Sequence, residues 1–197
     1  RGNDKLRTIV HGRAPELFKQ WRKQNPSKNW TDFSGTNPTN AYLDLRKKLI
    51  SQQEKMCCYC EIVIEEDTKA HIEHLQDKHT YPKECFNFGN LMASCQHTDS
   101  CGHKKDKGYF KEMVSPFDTT CQSRFTYTGT GKIIPVKEDD KAANKTIELL
   151  GLNCKRLKDQ RLSLIKAIDY EDISFKSCLE NCIEWYNGFF TVILWME

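Results

Sequence analysis

Cysteine and histidine residues are concentrated in one part of the chain, from Cys57 to His103. Six of the ten cysteines and five of the six histidines lie in this stretch. Thiolates and imidazoles are the side chains that bind zinc in proteins. In a chain that we expect to be cytoplasmic, such a cluster is more often a metal site than a set of disulfides. The pattern therefore predicts metal chemistry in this region.

Four cysteines have the spacing of a closed zinc site. Cys57 and Cys60 form a C-x-x-C pair, which a tight turn can direct at one ion. We predict a structural Zn²⁺ with four thiolate ligands, namely Cys57, Cys60, Cys95 and Cys101. Cys58 is an alternative to Cys57 if the turn is tighter, and His97 competes with Cys95. Four protein ligands leave no open position for a substrate, so this ion would stabilise a segment that has few large apolar residues.

A second group of residues could carry out hydrolysis. The segment "AHIEHLQ" alternates like a strand, so His71 and Glu73 face one way and His74 faces the other. A carboxylate can hold a hard divalent cation, and an adjacent imidazole can accept a proton from water at neutral pH. Asn90 in "FGNL" and His103 in "CGHKK" follow downstream. We interpret His71 as a packing or hydrogen-bonding residue rather than a ligand.

The order of these motifs resembles the HNH nuclease module, a ββα-metal fold with embedded zinc knuckles. The resemblance rests on C-x-x-C, then E-H, then N-L, then a cysteine pair that runs into "CGHKK". It implies that His74 is the general base and that Glu73 and His103 hold the catalytic cation. It also implies that Asn90 orients the base, although Asn90 could instead only bond its own loop backbone. The chain departs from the family pattern in "QHTDS", which widens the second cysteine pair, and in "KKDKG", which delays a glycine.

The resemblance extends to the HNH component of Septu-type and retron-linked antiphage systems (PtuB-like), over roughly residues 40–165. The pieces that carry it are "CCYCE", "IEHLQDK", "NFGNLMASC", "CGHKK", "IELLGLN" and "RLKDQR". It implies an ATPase partner of the ATP-binding-cassette type, and a retron RNA/DNA complex is a further candidate partner.

We therefore expect metal-dependent hydrolysis of phosphodiester bonds in nucleic acid, with Mg²⁺ or another divalent cation. Lys104, Lys105 and Lys107 are the residues predicted to contact flanking phosphates, unless they form only a solvated helix face. The formal net charge of +3 neither requires nor excludes a nucleic-acid partner. The alternatives are a zinc-dependent module that binds nucleic acid without cutting it, and a scaffold subunit.

The fold class expected is α+β, with a small zinc-bound ββα-metal module embedded in a mainly helical domain. We divide the chain into a helical lead-in (1–54), the HNH module (55–116) and a helical C-terminal region (117–197). Short apolar pieces, "EIVIE" and "NLMAS", predict strands, and no run is long enough to span a membrane. The C-terminal stripe that contains Cys178 and Cys182 predicts a buried helix face. The aromatics of "EWYNGFFTVILW" predict a partner interface.

Overall fold

Helices provide most of the regular structure in residues 8–64, 69–170 and 173–197, which are the residues that the computed structural model describes. They are α1 (Glu16–Gln24), α2 (Trp30–Ser34), α3 (Asn40–Gln52), α4 (Cys101–Lys105), α5 (Lys141–Leu149), α6 (Lys155–Tyr170), α7 (Phe175–Glu180), α8 (Cys182–Tyr186) and α9 (Phe190–Met196). The strands β1 (Ala70–His74) and β2 (Leu91–Cys95) form one antiparallel pair, and β3 (Phe125–Tyr127) and β4 (Ile133–Pro135) form another. The expected α+β class is confirmed. Part of the predicted lead-in, residues 1–7, lies outside the described residues.

The helices α1 and α3 form where the sequence predicts helices, whereas α2 lies in a polar, turn-rich stretch where none was predicted. The three helices enclose a group of aromatic side chains. Thr39 caps α3 by accepting a hydrogen bond from the backbone N–H of Tyr42, as its position before the apolar repeat predicts. Leu45 and Leu49 are buried on the inner face of α3. The aromatic rings that pack together between α1, α2 and the loop before β2 are Phe18, Trp21, Trp30, Phe33 and Phe86.

The sheet of β1 and β2 lies at the centre, between α3 and α4. Its register pairs Glu73 with Met92 and His74 with Leu91. The side-chain amide of Gln53 binds β2 like an additional strand, because its nitrogen donates to the carbonyl of Ala93 and its oxygen accepts from the Ala93 N–H, both at 2.8 Å. Two parts of the chain that are distant in sequence are thereby joined at the strand that ends in Cys95.

The segment "EIVIE" does not form the predicted strand. Val63 and Ile62 make only isolated bridges, to Met56 and Gly188 respectively, and Glu65 lies outside the described residues. Because adjacent residues of this segment pair with two different parts of the chain, no regular ladder of backbone hydrogen bonds forms. This is a correction to the sequence prediction.

The C-terminal region differs from the sequence prediction in two ways. The hairpin of β3 and β4 was not expected, and the predicted continuous helix is divided into α7, α8 and α9. The chain reverses between α8 and α9, where Asn187, Gly188 and Phe189 all have positive φ. A side chain at Gly188 would collide with the carbonyl oxygen of Glu61, so the reversal requires glycine at this contact. Cys178 and Cys182 are buried, as predicted.

A buried polar network attaches the end of the chain to the turn that follows Cys60. The carboxylate of Glu61 accepts hydrogen bonds from the Thr191 N–H at 2.9 Å and from the Thr191 hydroxyl at 2.8 Å. That hydroxyl lies 2.8 Å from the hydroxyl of Tyr127 in β3. Because each of these groups is buried, the network specifies one position for α9.

Much of the C-terminal aromatic segment packs against the rest of the protein. Phe189, Val192 and Ile193 are buried in the common core, while Trp185 keeps half of its surface exposed. Tyr186, Phe190 and Trp195 are only partly buried, so the predicted partner interface on this segment stays a prediction. None of the helices described is both long and apolar enough to cross a bilayer.

Candidate metal centre and catalytic cleft

Four cysteine side chains converge between the turn at residues 57–60, the end of β2 and the start of α4. Their sulfur atoms all lie within 4.8 Å of one another, and all four are buried: Cys57, Cys60, Cys95 and Cys101. The Cys60 and Cys95 Sγ atoms are 3.9 Å apart. A tetrahedral zinc with Zn–S bonds of about 2.3 Å has sulfur atoms about 3.8 Å apart, so the cluster fits zinc without rearrangement.

The alternatives left open by the spacing take no part in this cluster. Cys58 is buried but is not one of the four converging thiols, and His97 is exposed. The backbone explains the choice, since the Cys58 N–H donates to the carbonyl of Ala93 at 3.0 Å and thereby anchors the turn on β2. Cys101 has φ +60°, a backbone conformation that residues other than glycine rarely adopt. This conformation turns the Cys101 thiol toward the other three.

The thiols also have altered acidity. Burial alone would raise the pKa of Cys57, but hydrogen bonds from Cys101, Cys58, Cys60 and Cys95 hold it well below its ordinary value. Burial raises the pKa of Cys101 well above its ordinary value, and its hydrogen bonds to Cys57 and Cys60 raise it further. A bound cation would favour the thiolate form of all four cysteines.

A separate cleft lies on the other side of Glu73 and contains the candidate catalytic residues. It has a volume of about 210 Å³, and its lining includes His71, Glu73, His74, Asp77, His103 and Lys107. This space accommodates several water molecules, at about 30 Å³ each. Glu73, His74 and His103, which were expected to act together, thus share one cavity.

Glu73 is buried and is held by three neighbours. Its Oε1 accepts hydrogen bonds from Lys105 Nζ at 2.9 Å and from the Tyr59 hydroxyl at 3.2 Å, and its Oε2 lies 3.4 Å from His71 Nε2. Burial alone would raise the pKa of Glu73, but the bonds from His71 and Lys105 outweigh it, so the pKa is lowered. The carboxylate is therefore charged and has one oxygen committed to the protein.

His74 is held in one tautomer by a backbone carbonyl. Its Nε2 lies 2.9 Å from the carbonyl oxygen of Cys85 and must donate to it, so Nδ1 is the ring nitrogen that can accept a proton. The ring packs edge-on against Trp30, with centroids 4.3 Å apart. Burial lowers the pKa of His74 to about 4, so the imidazole is neutral at pH 7.

His103 lies at the exposed edge of the cleft. Its Nε2 is 2.6 Å from the Gln96 side-chain oxygen, which makes Nε2 the donor and leaves Nδ1 with a lone pair. The His103 and His71 rings are 4.5 Å apart between centroids. In the part of the chain that the structure describes, no three ligand atoms of this cleft lie as close together as the four thiols do.

Comparison with curated proteins finds similarity to one retron protein and to two Septu proteins. It is 25% identical over 194 residues to the Escherichia coli protein named "Retron Ec83 putative HNH endonuclease", with 76% of this chain and 75% of the relative covered. It is 29% identical over 115 residues to "Septu protein PtuB" of Bacillus thuringiensis, with 55% of this chain and 41% of that relative covered. A second "Septu protein PtuB", from Bacillus mycoides (strain KBAB4), is 25% identical over 173 residues, with 69% and 56% covered.

The resemblance to Septu- and retron-associated HNH proteins is confirmed. No protein-family model matches the chain. The chain spans about three quarters of the retron relative and 41% and 56% of the two Septu relatives.

The HNH resemblance assigns Asn90 the role of orienting His74, but the hydrogen bonds of the Asn90 side chain go to other residues. Its Oδ1 accepts a hydrogen bond from the Gln76 N–H at 2.8 Å, and its Nδ2 donates to the carbonyls of Gln76 and Glu84 at 2.9 and 3.1 Å. These bonds close the loop between β1 and β2, whose residue Cys85 supplies the carbonyl for His74. Asn90 therefore holds the loop, and the orientation of His74 comes from a main-chain oxygen.

The three lysines of the HNH-like segment "CGHKKDKG" have different environments. Lys105 is buried, pairs with Glu73 and donates to the carbonyl of His74 at 2.9 Å, so its ammonium group is bound within the protein in this structure. Lys104 is exposed, and Lys107 is exposed and lines the cleft. Only these two can reach a ligand without breaking a buried ion pair.

His71 lies in the cleft beside the candidate catalytic residues. The sequence favours a packing or hydrogen-bonding role for it, and its Nε2 lies 3.4 Å from Glu73 Oε2, while its ring lies beside that of His103. The alternation of the strand already placed His71 and Glu73 on one face, and that was the available signal. The role of Cys85 had no such signal, because any residue at that position supplies a carbonyl.

Proposed function

We propose that the chain is an HNH-type endonuclease that hydrolyses phosphodiester bonds in nucleic acid with the help of a divalent cation. The observation that carries this proposal is that His74 shares one cleft with Glu73 and His103 and keeps a single ring nitrogen available for a proton. The name of the retron relative, with 75% of its length covered, supports the same activity.

His74 performs the proton transfer in this proposal. Its Nε2–H bond to the Cys85 carbonyl holds the ring, and Nδ1 takes a proton from the attacking water as the water approaches the phosphorus atom. The pKa of about 4 keeps the imidazole in its basic form at pH 7. Asn90 supports this arrangement indirectly by fixing the loop that contains Cys85.

The residues around Glu73 fit a cation-binding role. Glu73 Oε2 and His71 Nε2 lie 3.4 Å apart, and His103 has Nδ1 available because Nε2 bonds to Gln96. A hydrogen bond from the second ring nitrogen to an oxygen is typical of metal-binding histidines. A carboxylate with imidazoles suits Mg²⁺, Mn²⁺, Ni²⁺ or Zn²⁺. Such an ion, when bound, would neutralise charge that develops on the scissile phosphate and the leaving oxygen.

We further propose that β1, β2 and α4 constitute the ββα-metal element of an HNH fold, and that the four thiols hold a structural Zn²⁺. The chain order of strand, strand and short helix, with His74 at the end of β1 and His103 in α4, supports the first proposal. The sulfur separations support the second.

Antiphage defence with an ATPase partner of the ATP-binding-cassette type is the system that the Septu and retron relatives support, and a retron RNA/DNA complex is a further candidate partner. Affinity purification of a tagged chain co-expressed with a candidate ATPase of this type tests the partner. Recovery of the ATPase in a fixed ratio is expected, and separate elution of the two proteins would contradict the proposal.

Cleavage assays with supercoiled plasmid, single-stranded DNA and RNA test the activity, with Mg²⁺ and Mn²⁺ each titrated. We expect His74→Ala to lower the rate about 10²- to 10⁴-fold, the range for a general base. His97→Ala is the matched control, because His97 is exposed and does not line the cleft. Equal rates for His74→Ala and wild type would exclude the assigned base, and binding without any cleavage by wild type would favour a non-catalytic binding module.

A further inference from the structure

A second groove adjoins the candidate catalytic cleft. Lys78 and His79 line both concavities, so the two meet at the loop that follows β1. The opposite wall of the second groove comes from α1 and the connection to α2, through Arg22, Lys28 and Trp30. Its volume is about 340 Å³, which is larger than that of the cleft. A ligand longer than the cleft can therefore continue into it.

The charge of this groove is of one sign. Three of its lining residues are cations and none is a carboxylate: the cations are Arg22, Lys28 and Lys78. Among the described residues, Arg22 and Lys78 have no ion pair, and Lys28 reaches its acidic neighbour Asp32 only at 4.0 Å. The positive charge is thus available to a ligand rather than consumed within the chain.

Arg22 is held in place by neutral partners. Its guanidinium carbon lies 3.8 Å from the centroid of the Phe86 ring, and its Nη1 donates weakly to the carbonyls of Asn25 and Lys28 at 3.5 and 3.4 Å. Stacking and carbonyl bonds orient the group without neutralising it. A planar, fixed guanidinium of this kind is suited to bidentate contact with phosphate.

Lys78 connects this groove to the reaction centre. Lys78 lines both this groove and the cleft that contains His74. Cys85, whose carbonyl holds the His74 imidazole, also lines the groove. A phosphate bound by Lys78 would accordingly lie beside the cleft in which His74 is proposed to act.

We propose that this groove binds the sugar–phosphate backbone of the strand to be cut, on one side of the scissile bond, through Arg22, Lys28 and Lys78. This inference rests on the proposed function, because it takes the cleft to be the place of cleavage. It supplies phosphate contacts that the buried Lys105 cannot make. The occupant is a polyanion rather than an apolar peptide, since the aromatic rings beside the groove are packed against one another and no carboxylate lines the groove.

Binding measurements separate this proposal from catalysis. The probe is a fluorescein-labelled oligonucleotide of twenty nucleotides, single-stranded or duplex, bound by the full chain carrying His74→Ala, without added divalent cation, over a series of salt concentrations. Each lost phosphate contact lowers the slope of log K against log salt by about 0.7 for a single strand and 0.9 for a duplex. For Lys28→Ala with Lys78→Ala we expect a slope smaller by about 1.4 to 1.8 and weaker binding at low salt.

The control is Lys166→Ala with Lys176→Ala, which removes the same charge from exposed positions on α6 and α7, away from the groove. Its slope should equal that of the His74→Ala parent. Equal slopes for the groove variant and the parent would overturn the proposal. Arg22→Lys keeps the charge but loses the planar group, so it should weaken binding with little change in slope, and unchanged binding would exclude a bidentate contact by Arg22.

Cleavage by the same variants with His74 restored distinguishes the two proposals. If the groove binds substrate, Lys28→Ala with Lys78→Ala should raise KM and leave kcat nearly unchanged. If the groove variant shows the expected smaller slope and wild type never cleaves, the groove is supported and the endonuclease proposal fails. If wild type cleaves, and the groove variant matches it in KM and in slope, the groove proposal fails and the endonuclease proposal stands.

Discussion

Glu73 has two oxygens with different tasks. Oε1 is surrounded by Lys105 and Tyr59 inside the protein, whereas Oε2 lies near His71 at the cleft. A buried carboxylate is costly unless it is paired, so Lys105 is what allows a charged Glu73 to exist at this position before any cation binds. The same carboxylate thus belongs to the core through one atom and to the site through the other.

Removal of this counter-ion should destabilise the protein strongly. Lys105→Met leaves Glu73 buried and unpaired, and we expect the free energy of unfolding to fall by about 3 to 5 kcal/mol. Lys104→Met, at the adjacent exposed position, should change it by less than about 0.5 kcal/mol. Urea denaturation measures both. Adding Glu73→Gln to Lys105→Met should recover part of the loss, and equal unfolding midpoints for the two single variants would show that the pair contributes nothing.

Gly102 allows the start of α4 to approach the candidate cation ligands. A Cβ at this position would lie 2.6 Å from Glu73 Oε2 and would also overlap His71 Nε2. Gly102→Ala should therefore displace both groups and weaken Mn²⁺ binding by about ten-fold or more, as measured by calorimetry on zinc-loaded protein. Gly129→Ala is the control, because a Cβ there meets no atom within 4 Å. Unchanged Mn²⁺ affinity in Gly102→Ala would place the cation elsewhere.

At the scale of elements, the short helix α4 is positioned by contacts of its first and last residues. The helix α4 has only five residues, but its first residue contributes a thiol to the cysteine cluster and its last binds Glu73. It also follows Asp99, which forms a double contact with Arg156 of α6 through Nε at 3.2 Å and Nη2 at 2.9 Å. The hydrogen bond from Arg156 together with its charge lowers the pKa of Asp99 to about 2. The long helix α6 thereby supports the loop that leads into the short one.

Asp140 provides a second such contact, at the start of α5. Its Oδ1 accepts from the Ala143 N–H at 2.9 Å, and its Oδ2 accepts from Arg124 Nε at 2.9 Å. The hydrogen bond from Arg124 lowers the pKa of Asp140. Because the folded-state pKa lies below the unfolded value of about 3.9, the carboxylate stabilises the fold above that pH, and the contribution is lost as the pH falls through the folded-state pKa.

Asp140→Asn separates the ion pair from the helix cap. Asparagine caps helices as well as aspartate does, so the variant should lose only the charge, about 1 kcal/mol at pH 7. Denaturation at a series of pH values should show the difference from wild type narrowing below pH 3.9. Asp140→Ala should lose a further ~1 kcal/mol from the cap at every pH. A difference between Asn and wild type that does not depend on pH would refute the ion-pair assignment.

At the scale of the whole molecule, the features that could be predicted are those with local causes. The start of α3 follows from the Thr39 hydroxyl and the apolar spacing behind it, and the end of α5 follows from Gly151, whose φ is +59°. The convergence of the four thiols was predictable because a zinc site restricts ligand types and spacing.

What could not be predicted depends on contacts between distant parts of the chain. Lys105 differs from Lys104 and Lys107 only through its position opposite Glu73, which the sequence does not display. The separation of α8 from α9 arises where Gly188 meets Glu61, more than a hundred residues earlier in the chain. The hairpin of β3 and β4 was missed because each strand has three residues, too few for an alternating pattern to be recognised.

Removal of zinc should loosen the whole molecule rather than one loop. The cysteine cluster joins the 57–60 turn, β2 and α4, and Glu61, directly after Cys60, holds Thr191 in α9. The described cysteines form no disulfide that could replace the metal. Mass spectrometry of the purified chain should find one zinc, and Cys60→Ser should lose it with a large fall in Tm, since structural zinc contributes about 10 kcal/mol or more in small domains.

The distant effect is the decisive part of this prediction. When zinc is lost, hydrogen exchange should increase at residues 189–193 as well as at residues 57–60, because Glu61 can hold α9 only while the turn beside it is fixed. Cys154→Ser is the control, since Cys154 is half-exposed and lies outside the cluster; it should keep both the zinc and the protection. Full protection of residues 189–193 in metal-free Cys60→Ser would mean that the C-terminal helices fold independently of the metal centre. The hydrogen bonds among Glu61, Thr191 and Tyr127 would then depend on core packing and not on the metal bound to the cysteines.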